Sequence, residues 1–137
     1  MSLFAYGQTG SGKSFTMFGD RGARGAVPRF CSSLFEKLAR ASPAKTTVAV
    51  SMLEIYNERL RDLLVPYARD APPLRLRDAP RSGAVVEGAK IVEIGSEADL
   101  LSLMRLGSRN RTVAATAMNE KSSRAHTVVT VRLGIES

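Results

Sequence analysis

Gly7-Gln8-Thr9-Gly10-Ser11-Gly12-Lys13-Ser14 is a complete phosphate-binding loop of the form G-x-x-x-x-G-K-[ST]. The glycines let backbone N–H groups turn toward a polyphosphate with no Cβ in the way. The lysine can reach β- and γ-phosphates, and the serine hydroxyl can ligand Mg²⁺. The flanks suit this reading. Leu3-Phe4-Ala5-Tyr6 is an apolar run of strand type, and Ser14-Phe15-Thr16-Met17-Phe18 can open a helix whose N-terminus faces the phosphates. The plainer reading, a Gly-rich turn, is disfavoured by that strand-loop-helix context. The stretch points to a nucleoside triphosphate site.

The 137 residues amount to one domain, long enough to bury a core, with an ordinary composition of 44% hydrophobic and 24% charged residues. No apolar run approaches a membrane span and no signal peptide opens the chain, which leads us to expect a cytoplasmic protein without a membrane role. Cys31 is the only cysteine, so an intrachain disulfide and a cysteine-based zinc site are excluded. It falls in a helical pattern, where a small buried filler is expected. The net charge is +7, and 15 of the 20 basic residues are arginine, which predicts an acidic partner. The eight aromatics lie in apolar patterns and are not interleaved with basic residues, so nucleic acid is not the expected partner.

Residues 19–25 read as a flexible, charged insertion. Helical periodicity resumes at Val27, Phe30, Leu34, Phe35 and Leu38, with Pro28 tolerable in the first turn and Ser42-Pro43 as a break. Val48, Val50 and Met52 alternate as a strand running on to Ile55-Tyr56, and Leu60, Leu63 and Leu64 predict a short helix stopped by Pro66. Residues 67–83 predict a surface loop or small meander, and residues 84–94 one or two short strands bent at Gly88. Ser96-Glu97-Ala98-Asp99 has capping-box form before Leu100, Leu103 and Met104. A polar stretch over 112–123 precedes a last strand, Thr127 to Leu133. Strands and helices alternate, which predicts an α/β sheet protein.

Asn119-Glu120-Lys121-Ser122-Ser123-Arg124-Ala125-His126 precedes that last strand. Hydroxyls, an amide and an arginine are what a γ-phosphate sensor needs, because such a loop orders when the phosphate is present and relaxes when it leaves. Taken with the phosphate loop, this resembles the kinesin family motor domain. Phe4 to Ser14 with Thr16-Met17 and Gly19 is similar to that family's extended phosphate loop, and Gly25-Ala26-Val27-Pro28-Arg29 to its G-I-I-P-R helix start. Glu54-Ile55-Tyr56-Asn57-Glu58 with Asp62-Leu63-Leu64 resembles its E-I-Y-N-E…D-L-L segment, and Asn110 to Asn119 leading into Ser122-Ser123-Arg124-Ala125-His126 resembles its switch I, N-x-x-S-S-R-S-H.

The resemblance implies a P-loop NTPase-type mixed sheet flanked by helices. It implies that ATP with Mg²⁺ is bound by Gly7, Gln8, Thr9, Gly10, Ser11, Gly12, Lys13 and Ser14, with Ser14 and Ser123 on the metal. Ser122 would help position the attacking water, Arg124 would latch to a switch II glutamate and Asn119 would steady the closed loop. The partner implied is the microtubule, whose acidic tubulin surface suits the charge, with residues from about Arg75 to Lys90 facing it. Oligomeric state, direction and cargo are not implied. Against the family pattern, Ala125 stands where serine is usual. Residues 1–137 are expected to be less than half of a motor domain, without the N-terminal strand region, switch II and the C-terminal microtubule-binding helices. The alternatives are a P-loop NTPase without a motor role and a non-hydrolysing remnant that binds only nucleotide or an acidic partner. Glu54 as a substitute Walker B acid, His126 as a general base and a Glu87/Glu93 pair are each read as structural or solvated instead.

Overall fold

The computed structural model describes residues 2–41 and 45–136, and of Ser122 the backbone alone; the break expected at Ser42-Pro43 lies outside the described residues. In chain order the elements are α1 (Lys13–Phe18), α2 (Ala26–Arg40), β1 (Lys45–Tyr56), β2 (Arg59–Asp62), β3 (Arg75–Ala79), β4 (Gly83–Glu87), β5 (Val92–Ile94), α3 (Glu97–Met118), a 3-10 turn at Ser122–Arg124 and β6 (Ala125–Glu136). The chain mixes helices and sheet, but the expected alternation is not seen: two helices precede five consecutive strands, and only then do α3 and β6 follow, because short hairpin connections join antiparallel neighbours.

β1 organises the main sheet. β6 pairs antiparallel along its whole length, from Lys45 opposite Glu136 to Tyr56 opposite Ala125. Its other edge is shared, with β5 beside Val48 to Val50 and β2 beside Leu53 to Tyr56, both antiparallel. β3 and β4 form a separate two-stranded hairpin. Period-two alternation sends Val48, Val50 and Met52 to one face, where they meet the helices. Cys31 of α2, Ile94, Leu100 and Met104 join Val48 and Val50 in one buried cluster; Met52, Leu63 and Leu64 form a second. Cys31 is fully buried as expected, and burial pushes its thiol pKa up.

The helix ends follow local chemistry. Ser96 Oγ accepts from the Asp99 N–H at 3.2 Å, the N-cap half of the predicted capping box, while the Asp99 carboxylate accepts at 2.9 Å from the Gly95 N–H, one residue before the cap. α3 then runs to Met118, well into the stretch read only as polar. Gly107 and Ala114 keep its inner stripe narrow enough to lie on the sheet. It stops at Asn119, whose φ of 51° is the left-handed conformation common just past a helix.

Two expectations change. Leu60 to Leu64 is not a helix. Asn57 and Glu58, at φ 47° and 62°, make a two-residue hairpin turn of primed type, and the chain returns as β2 beside β1. Leu3 to Tyr6 forms no strand, and Phe4 and Tyr6 are exposed. A strand needs a partner, and none of the described strands pairs with this run.

Candidate functional site

The phosphate loop carries its glycines where the backbone needs them. Gly10 (φ 83°) and Gly12 (φ 90°) lie in the left-handed region, and a Cβ at either would meet nothing within 4 Å. They are required by conformation, and the space beside them is open. Gly7 lies close to Ser11, whose Oγ a Cβ there would push aside. The Ser11 N–H donates to the Gln8 carbonyl at 3.1 Å, which closes the loop, and Gly12 passes directly into α1.

Lys13 Nζ donates to the Gly7 carbonyl and, at 3.0 Å, to the Gln8 carbonyl. The ammonium is thus held at the centre of its own loop. Ser14 is exposed at the first turn of α1. An open cradle of backbone, a tethered ammonium and a free-standing hydroxyl fit a polyphosphate with a hard divalent cation. Among the described residues no cluster of three or more His, Cys, Asp or Glu could hold a metal by itself. The segment expected to be a flexible insertion closes on itself, with the Asp20 carboxylate accepting from the Gly22 and Ala23 N–H groups and Arg24 pairing with Glu97 at the start of α3.

The second constellation stands at the other end of α3. Asn119 caps the helix, and the Arg124 N–H donates to the Lys121 carbonyl at 3.1 Å within the 3-10 turn. Asn119, Ser123 and Arg124 are exposed, and the Ser122 side chain lies outside the described residues. Among the described residues no hydrogen bond or ion pair joins 7–14 to 119–124, and Arg124 has no carboxylate partner. The two constellations are connected through the core: Phe18 at the end of α1 and Val129 of β6 both pack on Met52, Leu63 and Leu64.

One set of residues carries no local site signal in the sequence. Arg61 of β2 donates from Nε to Glu54 Oε2 at 3.0 Å, with a second bond from Nη2, and clasps Glu120 through both carboxylate oxygens at 3.2 and 2.7 Å. Glu54 is 2% exposed, so its charge is viable only because it is paired. Burial draws the Arg61 pKa down, but the hydrogen bonds to Glu120 and Glu54 outweigh it, and the net direction is up. The guanidinium also lies 5.9 Å from the Tyr56 ring centroid, and the Tyr56 hydroxyl accepts from the Lys121 N–H at 3.3 Å. Glu54 is therefore engaged in a structural pair, as expected, and not free for a metal. The signal in the sequence was the turn: with Asn57-Glu58 at its tip, Glu54 must stand opposite Arg61.

A cavity of about 300 Å³ lies between β2, residues 65–74 and the end of α3, with Arg61 and Glu120 in its wall and none of residues 7–14. It is separate from the phosphate loop.

A family model described as the kinesin motor domain matches residues 1–137. The chain is 45% identical over 134 residues to kinesin-like protein KIF14 of Mus musculus, covering 94% of this chain and 8% of the relative. It is 47% identical to kinesin-like protein KIF1C of Homo sapiens, covering 94% and 12%. The chain thus spans only a small part of the curated relatives it matches. Among solved structures, a KIF14 dimer in complex with a microtubule and AMP-PNP aligns with TM-score 0.79 and 44% identity over 93% of this chain and 36% of that one. A fast kinesin aligns with TM-score 0.85 and 39% identity, over 95% and 37%.

Proposed function

This chain belongs to the kinesin motor-domain family, and on that premise we propose that it is the nucleotide-binding part of a microtubule motor. ATP is the substrate, Mg²⁺ its metal and the microtubule its track. The observation that carries the reading is the loop itself: open left-handed glycines at 10 and 12, with Lys13 tethered to the Gly7 and Gln8 carbonyls. The known binding of AMP-PNP and a microtubule by the related KIF14 structure supports the nucleotide and the partner.

Within this chain the roles divide as follows. The amides of residues 8–14 bind the phosphates, and Lys13 shares its protons between loop carbonyls and phosphate oxygens. The Ser14 hydroxyl would hold Mg²⁺, joined by the Ser123 hydroxyl when residues 119–124 close on the loop, and the metal would neutralise phosphate charge. Ser122 orients the attacking water, Asn119 steadies the loop and Arg124 is the latch toward a carboxylate outside the described contacts. The reading implies a cytoplasmic, microtubule-associated protein. Among the described residues no helix is long and apolar enough to cross a membrane.

The test is fluorescent-ATP binding with and without Mg²⁺, beside microtubule co-sedimentation. Lys13→Ala is expected to weaken nucleotide binding by tenfold or more, roughly the value of one charge-assisted contact to phosphate. Its melting temperature should scarcely move, because the Lys13 ammonium's hydrogen bonds are confined to the loop. Unchanged affinity in Lys13→Ala would refute the site.

A further inference from the structure

The ion network around Arg61 joins the buried sheet to the segment assigned to phosphate sensing.

We propose that Arg61, held by Glu54 and reaching Glu120, is a positioning residue that sets the resting order of residues 119–124. The proposal rests on the reading of that segment as the γ-phosphate sensor. Three elements meet here. Glu54 lies on the central strand and is almost fully buried, so it is a fixed anchor. Arg61 stands directly across from it on β2, so its guanidinium has little freedom. Glu120 is one residue past the αL cap of α3 and one residue before Lys121, at the entry to the 3-10 turn. The bidentate clasp therefore pins the hinge of the segment to the sheet, while Ser123 and Arg124 beyond it stay exposed. The Tyr56 hydroxyl adds a second tether at the Lys121 N–H. A loop pinned at its entry and free beyond it can reach its target with a smaller loss of conformational freedom than one free throughout.

The only cysteine is buried, so a nitroxide label on Lys121→Cys reports that segment alone, with Ser108→Cys in mid-α3 as a control. Glu120→Gln removes one charge and leaves the Glu54–Arg61 pair intact. It should make the 121 label at least about twofold more mobile without nucleotide, leave the 108 label unchanged, and lower the ordering produced by AMP-PNP. Should Glu120→Gln fold poorly, the triple Glu54→Gln/Arg61→Met/Glu120→Gln removes the whole clasp and leaves neither carboxylate charged without its partner. It should loosen the same label. Unchanged mobility at 121 in either variant overturns the proposal, as does equal loosening at 108, which would make the network a general prop. If the parent chain binds no nucleotide, the phosphate-sensing role assigned to the segment falls, while the mobility measured without nucleotide still decides whether the clasp orders it.

Discussion

Single atoms decide the behaviour of the phosphate loop. Lys13 has acceptors in the Gly7 and Gln8 carbonyls, so its charge is satisfied before any ligand arrives, and the loop has its shape in advance. Ala125 sits at the other constellation. It follows Arg124, opens β6 opposite Tyr56 and is half-buried. A serine there would add a hydroxyl beside the 3-10 turn while touching nothing in residues 7–14. Ala125→Ser is therefore expected to hold nucleotide affinity within about twofold and to move steady-state turnover by more than that. A shift in affinity with turnover unchanged would show that the position acts on binding instead.

Among the elements, the hairpin of β1 and β2 carries the most consequence. Its turn places Glu58 at φ 62°, a conformation that costs a side chain with a Cβ about 1 kcal/mol. Glu58→Gly should recover up to about 1 kcal/mol in denaturant unfolding; a loss of stability would mean that the Glu58 side chain has a favourable role of its own. The same register places the Glu54–Arg61 pair, and here the sign is opposite. Arg61→Met leaves Glu54 and Glu120 without their shared partner and should cost about 3–5 kcal/mol, whereas Glu54→Gln/Arg61→Met/Glu120→Gln should cost far less. Equal losses in the two variants would show that packing, not charge, governs the site. This hairpin also shows where the sequence was legible and where it was not. The alternation of Val48, Val50 and Met52 and the cap at Ser96 are local signals, and both elements formed as read. Leu60, Leu63 and Leu64 have helical spacing, but a two-residue turn lets β2 pair with β1 at once, and that pairing outweighs a weak local period. The strand character of Leu3 to Tyr6 failed for the complementary reason: its residues suit a sheet, but none of the described strands pairs with it, and a partner distant in sequence leaves no local signal. The loop conformation of residues 7–14 was legible because its signals are contained in eight consecutive positions. The clasp on Glu120 was not, because it joins residues 59 positions apart.

At the scale of the whole molecule the charge of +7 is unevenly committed. Arg61 is locked inside, Arg24 is paired with Glu97 and Arg77 with Glu87, so these contribute little to a long-range field. Arg75 and Arg81, on the β3–β4 hairpin, are exposed and have no carboxylate partner among the described residues. They project from a small two-stranded unit separate from the main sheet, so their removal leaves the phosphate loop untouched. If the hairpin meets an acidic surface, Arg75→Gln/Arg81→Gln should weaken microtubule co-sedimentation roughly threefold to tenfold at low salt, with nucleotide affinity unchanged. The difference should shrink as salt is raised and screening shortens the reach of the remaining charges. A deficit that persisted undiminished in high salt would point to lost direct contacts in place of the field. No deficit at any salt would move the microtubule-facing surface away from this hairpin.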